Sequence, residues 1–148
     1  MKASRPALSP LLPPETLLSD YEHWLAFVTT SRQTVREYDR QLAHINVRYP
    51  DLSPLSNYLR DRMHYRAQFF GRLAIHLTAT VAQLRTQEAN AGLLHRLTYT
   101  HQAMQTLIDD LKAAFVDIEE SYQTLWGTAH TISPMPSIPS YRSNPARS

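Results

Sequence analysis

Two pairs of acidic and histidine side chains have the spacing that a metal site on a helix would use. Asp20 precedes His23 by three residues, and Asp61 precedes His64 by the same interval. A carboxylate and an imidazole at positions i and i+3 lie on one helix face, and di-iron bundles place glutamates and histidines in this way. In the fold predicted below, however, the two pairs lie several helical turns apart along the helix axis. We therefore predict solvated surface pairs and no metal site.

Three histidines, His23, His76 and His101, fall near one level of the predicted fold, as a three-histidine metal site would require. Only His101 belongs to the apolar stripe of its own helix. At about 100° per residue, His23 and His76 lie roughly 120° and 140° away from their stripes, so the three imidazoles would diverge. We predict that His101 is a core histidine with a hydrogen-bonding neighbour, and a pH-sensitive switch is the alternative.

A group of arginines near the middle of the chain is one candidate binding surface. Residues 32–96 contain 10 basic and 5 acidic residues. The group comprises Arg60, Arg62, Arg66 and Arg72, with Tyr58 and Tyr65 interleaved. Guanidinium groups that bind phosphates, beside rings on which bases stack, are typical of nucleic-acid binding.

Acidic residues further along the chain favour a competing interpretation. Residues 97–127 contain one basic residue, Lys112, and five acidic ones, which are Asp109, Asp110, Asp117, Glu119 and Glu120. In the predicted fold these acids lie opposite Arg60, Arg62 and Arg66, so pairing within the chain or between subunits would occupy the arginines. Surface ion pairs contribute only about 0–1 kcal/mol each, but they specify helix order and partner orientation. We favour pairing over nucleic-acid binding.

The composition excludes several kinds of chemistry. The 148 residues include three glycines and no cysteine. So few glycines argue against phosphate-binding loops, and the lack of cysteine excludes disulfides, thiolate metal sites and thiol nucleophiles. No catalytic triad or inward-facing pair of carboxylates is evident, and no apolar run is long enough to span a membrane. We therefore expect a non-enzymatic, cytoplasmic protein with no cofactor and no small-molecule substrate.

Three long stretches carry apolar residues at alternating steps of four and three, the pattern of a packed helix. The first stripe is Leu17, Tyr21, Trp24, Val28, Ser31, Val35, Tyr38, Leu42 and Ile45. The second is Met63, Ala67, Phe70, Ala74, Leu77, Val81 and Leu84, extended upstream by Leu55 and Leu59. The third is Leu94, Leu97, His101, Met104, Ile108, Leu111, Phe115, Ile118, Tyr122 and Leu125.

Helices of similar length joined by short loops fold back on one another. We therefore predict an all-α, antiparallel three-helix bundle with helices at about 15–48, 54–87 and 92–127. Residues that face each other on the first two helices should have numbers that sum to about 101, and those on the last two should sum to about 178, within about one turn.

The joint between the second and third helices has two interpretations. Asn90 and Gly92 predict a tight turn. One continuous helix from 54 to 127 is the alternative, because Glu88 and Ala89 are good helix formers. The matched lengths of the two stretches favour the turn.

Proline-rich segments flank the predicted bundle. Residues 1–14 and 128–148 each contain four prolines and are predicted to be disordered, which leaves 15–127 as the folded domain. The Pro-x-x-Pro motif at 136–139 is interpreted as part of a linker.

Two apolar residues outside the stripes are candidates for contact with a partner. Phe69 lies about 120° from the second stripe, and together with Leu73 it would form a separate apolar strip. Ordinary core packing is the alternative.

No motif selects a known family. The sequence favours a helical subunit for protein–protein interaction or assembly, which binds another protein or a second copy of itself. The alternative is an accessory nucleic-acid-binding subunit that uses the four arginines and the basic tails.

Overall fold

The computed structural model describes residues 11–86 and 90–132. These residues form three long helices, α1 (Pro14–Arg48), α2 (Ser53–Thr86) and α3 (Ala91–Ile132), with a single 3-10 turn at Pro50–Leu52 before α2. The part of the chain described contains no strand. The predicted all-α three-helix bundle is confirmed, and the observed starts of the three helices lie within one residue of the predicted ones.

Local chemistry explains where α1 begins and ends. Pro14 is its first residue, a position where the missing N–H of proline costs nothing. Glu15 in the first turn complements the partial positive charge of the helix N-terminus. The N–H of Tyr49 still bonds to the carbonyl of Ile45 at 2.8 Å, and Pro50 then ends the helix because it removes a donor.

Asn90 caps the start of α3. Its side-chain Oδ1 accepts the N–H of Leu93 at 2.7 Å, and its carbonyl accepts the N–H of Leu94 at 3.1 Å. An N-cap of this kind satisfies donors that a helix end would otherwise leave without a partner. The alternative of one continuous helix is therefore wrong, and Gly92, which we predicted in the turn, lies in the first turn of α3 instead. Residues 87–89 of the predicted turn lie outside the described residues.

The third helix extends five residues beyond its predicted end at 127 and includes Gly127. The apolar stripe explains this, because Ala129 follows Leu125 by four residues and is fully buried. Residues 128–132 are therefore helical and do not belong to the predicted tail. Residues 133–148 and 1–10 lie outside the described residues, and so does the Pro-x-x-Pro motif. At the other end, Leu12 donates its N–H to Thr98 Oγ1 at 3.0 Å.

The chain divides into two compact units, and each contains part of every helix. The first unit comprises described residues of Met1–Arg32 and Phe69–Lys112. Tyr21 contacts Trp24 in its core with ring centroids 4.9 Å apart, and Phe27 meets Phe70 edge to face at 6.2 Å. Its buried residues include Leu17, Tyr21, Trp24, Val28, Phe70, Leu77, Val81, Leu97 and Ile108.

The second unit comprises described residues of Gln33–Gln68 and Ala113–Ser148. Ser56 is fully buried there and donates its hydroxyl to the carbonyl of Leu42 at 3.1 Å. Leu55, which we predicted in the second stripe, is instead 61% exposed. The remaining core includes Val35, Leu42, Ile45, Leu59, Met63, Ile118, Tyr122, Leu125 and Ala129. None of the helices described is both long and apolar enough to cross a membrane.

Candidate interaction surface on the second helix

The first of the four predicted arginines, Arg60, is directed at α1. Its Nε donates to Oδ1 of Asp39 at 2.8 Å, and Nε2 of His64 lies 3.1 Å from the other oxygen of the same carboxylate. Burial alone would raise the pKa of Asp39, but the hydrogen bonds from Arg60 and His64 outweigh it and hold the pKa below its usual value. The prediction that Arg60 pairs with the acids of α3 is therefore wrong, because a half-buried acid on α1 lies closer.

Arg62 makes the predicted contact with α3. Its Nη2 lies 3.1 Å from Oδ2 of Asp117, and the two residue numbers sum to 179 against a predicted 178. The guanidinium carbon also lies 5.9 Å from the ring centroid of Tyr58, within cation–π range. Both members of the ion pair are substantially exposed, so the pair orients the helices more than it stabilises them.

Arg66 and Arg72 have no carboxylate partner among the residues described. Arg66 lies over the ring of Tyr65, with 5.8 Å between its guanidinium carbon and the ring centroid. Arg72 is exposed and belongs to the first unit, whereas Arg60, Arg62 and Arg66 belong to the second. The structure therefore brings together only part of the predicted group, namely Arg62 and Arg66 with Tyr58 and Tyr65.

The two predicted partner-binding residues differ in exposure. Leu73 is only 8% exposed and belongs to the core of the first unit, which is the alternative that the sequence left open. Phe69 is half-buried. A partner would reach little of Leu73, so the predicted strip offers one accessible side chain and not two.

An open groove between α2 and α3 of the second unit was missed by the sequence analysis. Its volume is about 380 Å³. Leu59 and Leu125 form its buried apolar floor, while Leu55 and Tyr58 are 61% and 63% exposed at its edge. We call it the Tyr58 groove, and its full lining is Leu55, Tyr58, Leu59, Arg62, Asp117, Glu120, Ser121, Thr124, Leu125 and Thr128.

A second hollow adjoins the Tyr58 groove and shares two of its residues, Tyr58 and Arg62. Its volume is about 390 Å³, and Asp61, Tyr65 and Arg66 complete its lining. The combined surface offers two aromatic rings, two guanidinium groups and several carboxylates on exposed helix faces. The signal that could have revealed it is Ser56, whose small hydroxyl can be buried on the stripe side and so turns Leu55 outward.

The histidines do not assemble into a metal site. His101 Nε2 lies 2.7 Å from Oδ2 of Asp20, and its ring lies 5.3 Å from that of Trp24. His23 instead contacts the carbonyl of Ser19 through Nδ1 at 2.9 Å. No group of three candidate ligands converges within the described residues. The Asp20–His23 and Asp61–His64 spacings are therefore not used as pairs, because Asp20 contacts α3 and His64 contacts α1.

A cluster of tyrosines and acids lies elsewhere in the second unit. The hydroxyl of Tyr38 donates to Oε2 of Glu119 at 2.9 Å, and its ring stacks on Tyr122 with 4.0 Å between centroids. Burial and the adjacent Glu119 carboxylate raise the pKa of Tyr38 to about 12. Burial and the charge of Glu37 raise the pKa of Tyr122 as well. Both phenols are therefore held in the neutral form, which suits a structural role.

Comparisons of this chain with protein-family models, with curated proteins and with solved structures find no match.

Proposed function

We propose that this chain is a non-enzymatic helical subunit that binds a protein partner through the Tyr58 groove. The observation that supports the proposal is the exposure of Leu55 and Tyr58 beside an open, apolar-floored groove. Burying a side chain of this size is worth about 1.5–3 kcal/mol, so a partner that covers both gains appreciably. Tyrosine and arginine are also the residues that dominate binding energy at many protein interfaces.

The lining of the groove indicates what kind of segment would fit. Leu59 and Leu125 accept an apolar side chain, while Arg62, Asp117 and Glu120 place both signs of charge at the edge. A partner helix or extended segment with one apolar side chain and flanking polar groups would match both the apolar floor and the charged edge of the groove. With no cysteine and a coiled-coil-like stripe on each helix, we assign such an assembly subunit to the cytoplasm.

A comparison of affinity captures tests the proposal. The full chain and its Tyr58→Ala and Leu55→Ser variants would each be used to capture proteins from the source organism, followed by a binding measurement with the purified partner. We expect both variants to retain their helical circular dichroism and to lose affinity at least about tenfold, as the loss of a side chain that a partner buries does. Tyr99→Ala is the matched control, because Tyr99 is 85% exposed and lies on α3 of the other unit. Equal affinity in all four proteins would refute the proposal.

Nucleic-acid binding is the second candidate, supported by the two guanidinium–tyrosine contacts at Arg62 and Arg66. Asp61, Asp117 and Glu120 on the same surface oppose it, since they repel phosphates. Fluorescence anisotropy with a labelled single-stranded oligonucleotide separates the two functions. Affinity that falls steeply with salt and is weakened in Arg66→Gln would favour nucleic acid. No detectable binding at low salt leaves the protein partner as the function.

A further inference from the structure

Arg32 lies close to a glycine on the neighbouring helix. A Cβ added at Gly71 of α2 would lie 3.2 Å from Cζ and 3.3 Å from Nε of Arg32, closer than side chains normally approach. The guanidinium of Arg32, on α1, therefore lies against the backbone of α2. Its Nε is buried and has no hydrogen-bond partner among the residues described. Burial of an N–H without an acceptor opposes folding, and the described residues offer this N–H no compensating contact.

Four of the described arginines have carboxylate partners, and the pairs of Arg40 and Arg62 are two of them. Arg60 pairs with Asp39, and Arg85 pairs with Glu22. Arg32 and the exposed Arg72 have none within the described part of the chain. The sequence explains the difference, because residues 23–36 of α1 and 62–86 of α2 contain no acidic residue. The surface beside Gly71 therefore presents guanidinium groups with no nearby acid from either helix.

The complementary surface lies on α3 of the same unit. Asp109 and Asp110 are both exposed, and neither has a cationic partner among the residues described. Asp109 accepts one hydrogen bond from Gln105, at 3.0 Å. The nearby Lys112 is directed at an aromatic ring, with its ammonium 5.6 Å from the centroid of Phe27. Among its described residues, the first unit thus carries two arginines without a carboxylate partner and two aspartates without a cationic partner.

We infer that Arg32 and Arg72 of one copy bind Asp109 and Asp110 of a second copy. Guanidinium and carboxylate groups form paired, parallel hydrogen bonds, which a lone ammonium cannot match. Arg32 is already partly desolvated and fixed against Gly71, so it gives up less hydration and less freedom on binding than a mobile surface arginine. Charge complementarity of this kind also selects the partner, because two arginine surfaces or two aspartate surfaces repel each other. The surface shares no residue with the Tyr58 groove.

Charge reversal of each surface tests the inference in the full chain. Sedimentation velocity at low salt should show wild-type self-association that weakens as salt is added. Arg32→Glu with Arg72→Glu should abolish it, and so should Asp109→Arg with Asp110→Arg. Mixing the two double variants should restore association, because each then presents the sign that the other lacks. A wild type that is monomeric at every concentration, or variants that sediment like the wild type, would overturn the inference.

Two further variants separate binding from folding. Arg32→Met keeps the apolar stem and removes the N–H that lacks an acceptor, so it should melt no lower than the wild type while its association weakens at least about tenfold. Arg48→Glu, an exposed reversal in the other unit, should leave association unchanged. If Tyr58→Ala abolishes self-association and the charge reversals do not, the second copy binds at the groove, which overturns this inference and leaves the proposed function standing.

Discussion

Asp39 of α1 accepts polar contacts from two side chains of α2. It receives hydrogen bonds from Arg60 and His64, and together they lower its pKa despite partial burial. A carboxyl whose folded pKa is depressed stabilises the protein fully above its unfolded value of about 3.9, and that stabilisation is lost as the pH falls through the lower folded value.

Acid unfolding of Asp39→Asn measures this contribution. We expect the variant to be less stable than the wild type at pH 6, with a difference that shrinks as the pH falls below about 3.9. Urea unfolding at a series of pH values gives the result. A constant difference between pH 6 and pH 2 would show that geometry matters here and charge does not. Asp51→Asn is the control, because Asp51 is exposed.

Tyr38 predicts an opposite dependence at high pH. Its folded pKa of about 12 exceeds the usual value of 10, so the stabilisation is present below pH 10 and is lost as the pH rises towards 12. Tyr38→Phe keeps the ring that stacks on Tyr122 and removes the ionisable hydroxyl. The variant should therefore lose less stability than the wild type between pH 10 and 12. Ultraviolet titration of phenolate absorbance would contradict this if Tyr38 ionised together with the exposed tyrosines.

Replacement of each of two helical glycines by alanine should change the thermal stability by different amounts. Nothing lies within 4 Å of a Cβ added at Gly127, so Gly127→Ala gains the helix propensity of alanine, about 0.5–1 kcal/mol, or roughly 2–4 °C in melting temperature. At Gly71 the same gain is offset because Arg32 must move. Thermal melts of both variants should show the larger increase for Gly127→Ala. An equal increase would mean that Arg32 moves aside at no cost.

At the scale of the helix, the alternation of four and three predicted most of the core. The stripes place Tyr21, Val28, Phe70 and Ile108 correctly in buried positions. The pattern failed at Leu55 because periodicity ranks an apolar residue above a serine. In the structure Ser56 is the buried residue of the two, since its hydroxyl donates a hydrogen bond to the carbonyl of Leu42. Periodicity therefore predicts which face of a helix is buried better than it predicts which residue begins that face.

The extra turn of α3 gives a prediction of its own. Ala129 is fully buried, whereas its neighbour Thr128 is exposed. Ala129→Asp should destabilise the protein by several kcal/mol, because a buried charge has no partner there, and Thr128→Asp should change stability by less than about 0.5 kcal/mol. Urea unfolding compares the two. Equally small effects would mean that the helix ends near Gly127, as the sequence analysis expected.

At the scale of the whole molecule, the predicted pairing of helices was correct to about one turn. Asp20 and His101 contact each other although they lie 81 residues apart in the chain, and Tyr38 and Glu119 have the same separation. The predicted sums of 101 and 178 imply that facing residues of α1 and α3 lie about 77 positions apart in the chain. The observed separation of 81 is one helical turn more. Contacts so distant in sequence require large loops to close before they form, which slows folding relative to bundles with local contacts.

The candidate surfaces were harder to predict than the fold. Sequence patterns identified the arginines, but they did not show that Arg60 would bind Asp39 or that Arg32 would lie against Gly71. These contacts depend on which acid or glycine lies within a few ångströms of each arginine. The predicted register of the helices is uncertain by one turn, about 5.4 Å, which exceeds that distance. The Tyr58 groove likewise depends on which residues of the first turn of α2 are buried, and there Ser56 is buried while Leu55 is exposed.

The two tryptophans of the chain are divided between the two units. Trp24 is buried in the first, 5.3 Å from His101, and Trp126 lies in the second, stacked near Tyr122 and 4.5 Å from His130. Each indole is therefore an intrinsic fluorophore for its own unit, with an imidazole ring beside it. Trp24→Phe and Trp126→Phe convert the protein into two single-emitter probes, and their separate denaturation curves would report whether the two units lose structure in one transition or in two.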